Sequence, residues 1–444
     1  MSRKLFGTDG IRGVAGEAPL DRPTAYALGV ALGDWVLACA DTDHRHVVIG
    51  MDTRESGPWL AEHVAGGLAS RGVSTDFAGI ITTPGVAYLA RVGDYAAGVM
   101  ISASHNPFAD NGIKVIDHSG FKMPDAEELK LEESIFDFLS YEGAEIAPKP
   151  LAADPKLAEQ YIAYLESTST VRFDGLRVAM DCANGSAAAL APALFERLGA
   201  TIVARLGVEP NGRNINLNCG STHMESLHDA VVANKADVGI AFDGDADRAL
   251  FIAKSGMDVD GDMVMLITAQ LLGVKTVVAT VMSNMGLEVA LRDRGIDLVR
   301  TAVGDKYVLE EMVRRDLELG GEQSGHIIFR KWATTGDGML TALRVLEVMQ
   351  SQQKSLDDLA GEMKVYPQLL VNVRIKERRP LEDLVAVMEA INAAEAEFQG
   401  KGRVLVRFSG TEPLARVMAE GADQEVVDRW VHKIADELKA ELGA

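Results

Sequence analysis

Cysteine is scarce in this chain. Its 444 residues hold three, Cys39, Cys182 and Cys219, and no two stand at C-x-x-C spacing. That excludes a disulfide framework and a cysteine zinc site, and predicts reduced thiols in a cytoplasmic protein. Positive charge is also short: 44 Lys and Arg face 65 Asp and Glu, a formal net charge of −21. The balance argues against nucleic acid or an anionic membrane as a partner. A small anionic substrate would have to find local cationic pockets. No stretch is long and apolar enough to span a bilayer. The opening Met1-Ser-Arg-Lys-Leu-Phe-Gly has no apolar signal core.

What is present is an ordinary globular balance, 47% hydrophobic and 25% charged. The length suits roughly three domains at ~150 residues each. One loop organises the reading. The small apolar run Ala96-Ala97-Gly98-Val99-Met100 predicts a buried strand. It feeds Ile101-Ser102-Ala103-Ser104-His105-Asn106-Pro107, which sets hydroxyls at the carboxyl end of a strand, where open α/β sheets bind ligands. Pro107 stiffens the loop. Asn111-Gly112 predicts a tight turn, with Lys114 on the next strand. A hydroxyl, an imidazole and an ammonium this close could form a nucleophile site, or the loop could simply cap the next element.

Around it the chain repeats one grammar. Phe6 to Gly13 is a glycine-punctuated loop carrying Arg12. Helix is expected from Pro23 to Ala40, with Gly29 and Gly33 on one face for close packing. Strand Val47–Gly50, helix Ser56–Ser70, strand Val73–Ala78 and helix Gly85–Arg91 follow, and residues 125–140 form an acidic helix. A second unit runs strand 176–180, helix 187–198, strand 201–204. A third runs strand 276–280, helix 286–294, strand 296–299. Their helices end on Arg71-Gly72, Arg197-Leu198-Gly199 and Arg294-Gly295, matching C-cap signals, so three similar α/β domains in tandem are expected. The last eighty residues differ: strand 368–376, helix 381–398, strands 403–408 and 415–419, helix 424–442, a separate α+β domain. Boundaries are placed at 1–150, 151–255, 256–366 and 367–444.

Three further loops carry candidate chemistry. Asp243-Gly244-Asp245-Ala246-Asp247-Arg248 lies between apolar strands. Carboxylates at alternate positions of a glycine turn can converge on one hard cation, and would repel without it. An EF-hand is rejected, because its sixth and twelfth positions would be Arg248 and Lys254 rather than Gly and Glu. Too few protein ligands for a calcium cage points to Mg²⁺ completed by a phosphate oxygen. Arg407-Phe408-Ser409-Gly410-Thr411-Glu412-Pro413, followed by Arg416, reads either as an anion cradle or as a hairpin turn with Arg416 paired to Glu412. In Gly320-Gly321-Glu322-Gln323-Ser324-Gly325-His326, Glu322 and Ser324 alternate and can accept sugar hydroxyls together, while His326 can equally be structural. Gly304-Asp305-Lys306-Tyr307, upstream, is less specific.

Together Ser-His-Asn-Pro, Asp-Gly-Asp-Ala-Asp-Arg, Gly-Glu-Gln-Ser-Gly-His and Arg-Phe-Ser-Gly-Thr-Glu-Pro closely resemble the α-D-phosphohexomutase superfamily over essentially the whole chain. The opening Phe-Gly-Thr-Asp-Gly-Ile-Arg-Gly, the Ile-Ser-Ala-Ser-His-Asn-Pro-Phe stretch and Gln323 resemble its bacterial amino-sugar branch. The resemblance implies three α/β domains with mixed sheets and a C-terminal α+β domain, heart-shaped around a central cleft. It implies that Ser104, not Ser102, is the phosphoserine, and that Mg²⁺ joins it to Asp243, Asp245 and Asp247. Glu322 and Ser324 would grip sugar hydroxyls. Arg407, Ser409, Gly410, Thr411 and Arg416 would hold the phosphate that is not reacting. Arg12, His105, Lys114, Arg248 and His326 would surround the one that is. The implied reaction interconverts glucosamine 6-phosphate and glucosamine 1-phosphate, with glucosamine 1,6-bisphosphate or glucose 1,6-bisphosphate as intermediate or activator, on the route to UDP-N-acetylglucosamine. The same chemistry on mannose or glucose phosphate is the nearest rival. A Mg²⁺-dependent phosphatase and a non-catalytic sugar-phosphate sensor are more distant ones. A homodimer is left open.

Overall fold

The computed structural model describes residues 5–7, 9–38, 45–141, 143, 145–409 and 413–443. Cys39, Thr8 and the predicted end of the first helix at Ala40 lie outside them. The chain forms two compact units, Met1–Val281 with Val299–Gly361, and Met282–Leu298 with Glu362–Ala444.

In the first unit one sheet design recurs. The first sheet lines up Ile11–Val14, Asp110–Asp117, Ala97–Ile101, His46–Met51 and Ser74–Ile80. His46–Met51 pairs parallel with both its neighbours, and Asp110–Asp117 returns antiparallel to Ala97–Ile101. Every residue of Ala97–Ile101 is buried, which is why that strand reads as an unbroken apolar run. The second sheet repeats the order with Asp258–Val259, Ala249–Ala253, Val238–Phe242, Arg177–Asp181 and Thr201–Leu206. Again the inner pairs are parallel and one strand, Ala249–Ala253, returns antiparallel. In the third, Thr276–Thr280 pairs parallel with Leu319–Gly321, and Ile327–Phe329 returns antiparallel. The consequence is functional. The loops 102–109, 243–248 and 322–326 all occupy the same place, between the last parallel strand and the antiparallel one.

The small residues act as expected. A Cβ on Gly29 would lie 2.1 Å from the Val64 carbonyl oxygen, so helices Arg22–Ala38 and Gly57–Ser70 pack backbone to backbone. Gly72, Gly199 and Gly295 all have positive φ, at 75°, 98° and 70°. Each stands just past a helix end, where only glycine takes that conformation without strain.

Two expectations are corrected. Asn111-Gly112 makes no tight turn but lies inside strand Asp110–Asp117. The glycine is there for proximity, since a Cβ on it would sit 2.6 Å from the Ser102 carbonyl oxygen, and the buried Asn111 amide donates to Ser56 Oγ at 2.8 Å. The predicted helix 381–398 is broken: a short 3-10 turn, Leu381–Asp383, precedes an α-helix that starts at Val385. Leu384 takes ψ 84°, outside the helical region, and is fully buried. Core burial of that side chain overrides local helix propensity.

The second unit holds a three-stranded antiparallel sheet in the order Gln368–Arg374, Leu414–Gly421, Gly402–Phe408. Its core joins Val373 and Val417 to Val387 and Phe398 of one helix and Trp430, Ile434 and Leu438 of the other. No helix among the described residues is long and apolar enough to cross a membrane.

Candidate active site

Ser104 sits at the end of its buried strand with φ 51°, a left-handed conformation rare for a residue with a side chain. Such a residue costs of order 1–3 kcal/mol and persists only where its surroundings over-determine it. Arg54, 1% exposed, does much of that. Its guanidinium donates to the carbonyls of Ser104 and Asn106 at 2.9 Å each and of Asp110 at 2.9 Å, and also to that of Pro107, with Nε on Asp52 at 2.9 Å. Asn216, from the second sheet's loops, adds bonds to the Ser104 and Asn106 carbonyls at 2.9 and 3.1 Å. The hydroxyls divide their work. Ser102 Oγ accepts from the Ser104 N–H at 2.9 Å and donates to Asp52 at 2.7 Å, which makes it scaffold. Ser104 Oγ is 2.5 Å from Asp243 Oδ2.

The acidic loop meets it there. A Cβ on Gly244 would fall 2.5 Å from the Ser104 carbonyl oxygen, so the glycine lets the two loops touch. Asp243, Asp245 and Asp247 are buried, and each offers a carboxylate oxygen within 4.8 Å of the others. Lys114 Nζ lies 3.0 Å from Asp245, 3.8 Å from Asp247 and 3.0 Å from Asp9. Thr83 Oγ1 donates to Asp245 at 2.6 Å. Burial and then the neighbouring carboxylates push Asp243 well up, and Asp247 up as well. Burial opposes ionisation of Asp245 too, but Lys114 and Thr83 hold it at about 2. Asp9 is half-buried, and although burial opposes its ionisation, Lys114 and Arg12 keep it below the usual carboxylate range.

The triad fits a hard cation. One lysine serves several carboxylates, and Asp245 Oδ1 and Asp247 Oδ1 are buried with no hydrogen-bond partner. Orphaned carboxylate oxygens at that depth are costly, and an oxygen-seeking divalent ion would satisfy them.

A cavity of about 420 Å³ opens beside this point, lined by Arg12, Ser104, His105, Arg248, Glu322 and His326 among others. Arg248 Nη1 lies 3.1 Å from His105 Nδ1. Burial, Arg248 and Arg12 lower His105 to about 4, so the imidazole is neutral near pH 7 and serves as an acceptor. His326 is buried, its Nε2 accepts from the Gly336 N–H at 3.3 Å, and it stands 4.0 Å from Asp247. Glu322 Oε1 accepts from the Gly304 N–H at 3.0 Å. Ser324 is exposed and does not line the cavity. Gln323 Nε2 donates to Asp260 at 3.0 Å, which ties the loop to the start of helix Gly261–Leu272.

Four family models match this chain in succession. They are phosphoglucomutase/phosphomannomutase alpha/beta/alpha domain I over residues 3–142, domain II over 159–256, domain III over 260–366, and the C-terminal domain over 370–437. The phosphoglucosamine mutase of Solibacter usitatus is 57% identical over 100% of both chains. That of Koribacter versatilis is 48% identical over 99% of this chain and 98% of its own. This chain belongs to the phosphohexomutase family, among its phosphoglucosamine mutases. The phosphohexomutase fold is also seen in solved structures. A phosphoglucomutase/phosphomannomutase family protein from Burkholderia thailandensis superposes with TM-score 0.81 at 24% identity, over 98% of this chain and 97% of that one. Aspergillus fumigatus N-acetylphosphoglucosamine mutase, solved with GlcNAc-6P and magnesium, superposes with TM-score 0.63 at 18% identity, over 99% and 96%.

In the second unit of this phosphohexomutase, Arg407 and Arg416 stand directly opposite each other on neighbouring antiparallel strands. Like charges in that position destabilise a sheet unless an anion joins them. Burial and Arg416 lower the Arg407 pKa, and its buried Nε has no hydrogen-bond partner. Ser409 is buried, with its N–H on the Leu414 carbonyl at 2.8 Å. Gly410, Thr411 and Glu412 lie outside the described residues.

Sequence reasoning missed Asp52, Arg54, Thr83, Asn216 and Asp9. The available signal for the first two was a charged pair, Asp52-Thr53-Arg54, at the carboxyl end of strand His46–Met51. Nothing in the chain near Asn216 pointed to Ser104.

Proposed function

We propose that this isomerase interconverts glucosamine 6-phosphate and glucosamine 1-phosphate through a phosphorylated Ser104. The observation that carries this reading is Ser104 Oγ, 2.5 Å from Asp243, beside carboxylates with orphaned oxygens and a cavity edged by Arg12 and Arg248. Phospho-Ser104 gives its phosphoryl group to the free sugar hydroxyl, the 1,6-bisphosphate turns end over end, and the other phosphate returns to Ser104. Glucose 1,6-bisphosphate could charge the serine in the same way.

Asp243, Asp245 and Asp247 would hold Mg²⁺, whose contribution is to neutralise charge on the transferring phosphoryl group. The protein's own part is positioning. Arg54 and Asn216 set the Ser104 backbone. Arg12 and Arg248 offer charge-assisted donors to phosphate oxygens. Lys114, shared between Asp9 and the triad, balances the acidic loop. Neutral His105 orients Arg248, and His326 packs beside Asp247. Glu322 reaches the sugar, and Ser324 is assigned with it from the family pattern. Arg407 and Arg416, with Ser409, Gly410 and Thr411, supply a phosphate-binding group in the second unit. We place the domains at 1–150, 151–255, 256–366 and 367–444.

The test is an intact-mass measurement for one covalent phosphate, lost in Ser104→Ala, with an assay of glucosamine phosphate interconversion. Stoichiometric release of inorganic phosphate without isomer exchange would overturn the reading in favour of a phosphatase.

A further inference from the structure

A mutase for amino-sugar phosphates must tell an ammonium from a hydroxyl at the sugar's second carbon. The groups around Ser104 do not do this, because Arg12, His105 and Arg248 serve the phosphate. The same cavity is also lined by Val303, Gly304 and Asp305. Its carboxylates are not equivalent. Asp9 is paired with Arg12 and Lys114, and Asp247 lies near Lys114, Arg248 and His326. Glu322 holds the Gly304 N–H and lies within reach of the Arg248 charge. Asp305 accepts no hydrogen bond and forms no ion pair among the described residues. Its electrostatic neighbour, Lys122, is itself 3.6 Å from Glu128. The adjacent Lys306 gives Asp305 no counter-charge, since its ammonium is paired with Asp125.

We propose that Asp305 binds the 2-ammonium of the substrate and makes this site selective for amino-sugar phosphates. The inference rests on the mutase reading above. Half-buried, Asp305 opens helix Asp305–Arg315, and a negative charge there complements the helix dipole. That benefit needs no place in the cavity. The presentation is built: Gly304 has φ 132°, open only to glycine, and its N–H is fixed by Glu322 Oε1 at 3.0 Å. The loop that contacts the sugar therefore also sets the peptide that carries Asp305. Once an ammonium enters, the carboxylate gains a charge-assisted partner in a partly desolvated site.

The test compares kcat/KM for glucosamine 6-phosphate and glucose 6-phosphate in the Mg²⁺-loaded, phosphorylated full-length enzyme. Forward and reverse values are tied by the equilibrium constant, so one direction suffices. Asp305→Asn should lower the glucosamine 6-phosphate value by roughly ten- to a hundred-fold, as loss of one charge-assisted contact predicts. The glucose 6-phosphate value should stay within about two-fold by the same reasoning. Asp305→Ser, which keeps a residue suited to a helix start, should shift selectivity the same way. Equal losses on both sugars would show a merely structural role and overturn the proposal, as would no loss on either. If the unsubstituted enzyme interconverts neither sugar phosphate, the mutase reading fails, and this inference with it. If it is an active mutase with selectivity unmoved by both variants, this inference alone fails.

Discussion

Ser104 and Asp243 are 139 positions apart in the chain, yet the serine hydroxyl donates to the aspartate at 2.5 Å. Each ends a strand of its own sheet, and each lies in the loop between a parallel and an antiparallel strand. The Ser104 hydroxyl and the acidic triad meet because the two sheets use the same design and bring the same corner forward.

Ser104→Ala should abolish isomer interconversion at a smaller stability cost than Ser102→Ala, since it removes one buried hydrogen bond, to Asp243, and little packing. Ser102→Ala should keep measurable turnover but lose stability. It removes two buried hydrogen bonds and leaves Asp52 short of a donor, at a cost of about 1–3 kcal/mol. Turnover and thermal unfolding of both variants, measured side by side, check this. Comparable loss of turnover in the two would undo the choice of nucleophile.

Divalent metal should be required. Excess chelator should stop turnover, and Mg²⁺ should restore it. Mg²⁺ should also raise the melting temperature by mass action, because the site exists only in the folded chain. Asp247→Asn should weaken that thermal shift, since the Asp247 Oδ1 atom is buried and accepts no hydrogen bond from the protein. Full activity in chelator would refute the assignment of the triad.

Arg54→Ala should be strongly destabilising. It leaves the buried Asp52 carboxylate without its ion pair and takes a donor from four loop carbonyls, of which those of Ser104 and Asn106 keep only Asn216, and breaking a buried pair costs about 3–5 kcal/mol. Arg54→Lys keeps the charge but not the planar fork. It should recover part of the stability and little of the turnover, because the guanidinium fork that joins the Ser104 carbonyl to those of its loop neighbours is lost and Asn216 alone remains on that carbonyl. Urea unfolding and single-turnover phosphoryl transfer separate the two effects. A fully active Arg54→Lys enzyme would contradict this account.

Arg407→Ala should weaken both sugar phosphates alike. One group must serve the phosphate that is not reacting, whichever end of the sugar is engaged. Loss of one charge-assisted contact is worth roughly 1.5–3 kcal/mol, or about ten- to a hundred-fold in Kd. Titrating each isomer separately into enzyme carrying Ser104→Ala, with and without Arg407→Ala, checks this at equilibrium. Weakening of one isomer alone would mean two dedicated phosphate sites.

What the sequence determined by itself was local and contiguous. The apolar run ending at Ile101, the alternation Asp243-Asp245-Asp247 between two strands, and the Arg-Gly helix ends all act through neighbours in the chain, so their periodicity was legible. How the two loop serines are partnered was not. Ser102 and Ser104 look equivalent two residues apart, and they separate only because Asp52 takes one hydroxyl and Asp243 the other. Asn111-Gly112 reads as a turn by composition, and is strand because it pairs with Gly13 and Arg12 of the strand alongside, the glycine making room for the Ser102 carbonyl. Asn216 carries no local signature, and Arg54 shows only its pairing with Asp52, because their partners in the Ser104 loop are backbone carbonyls that every residue possesses. Satisfying those carbonyls, and holding Ser104 at φ 51°, needs side chains brought from two separate sheets, which only the tertiary structure supplies.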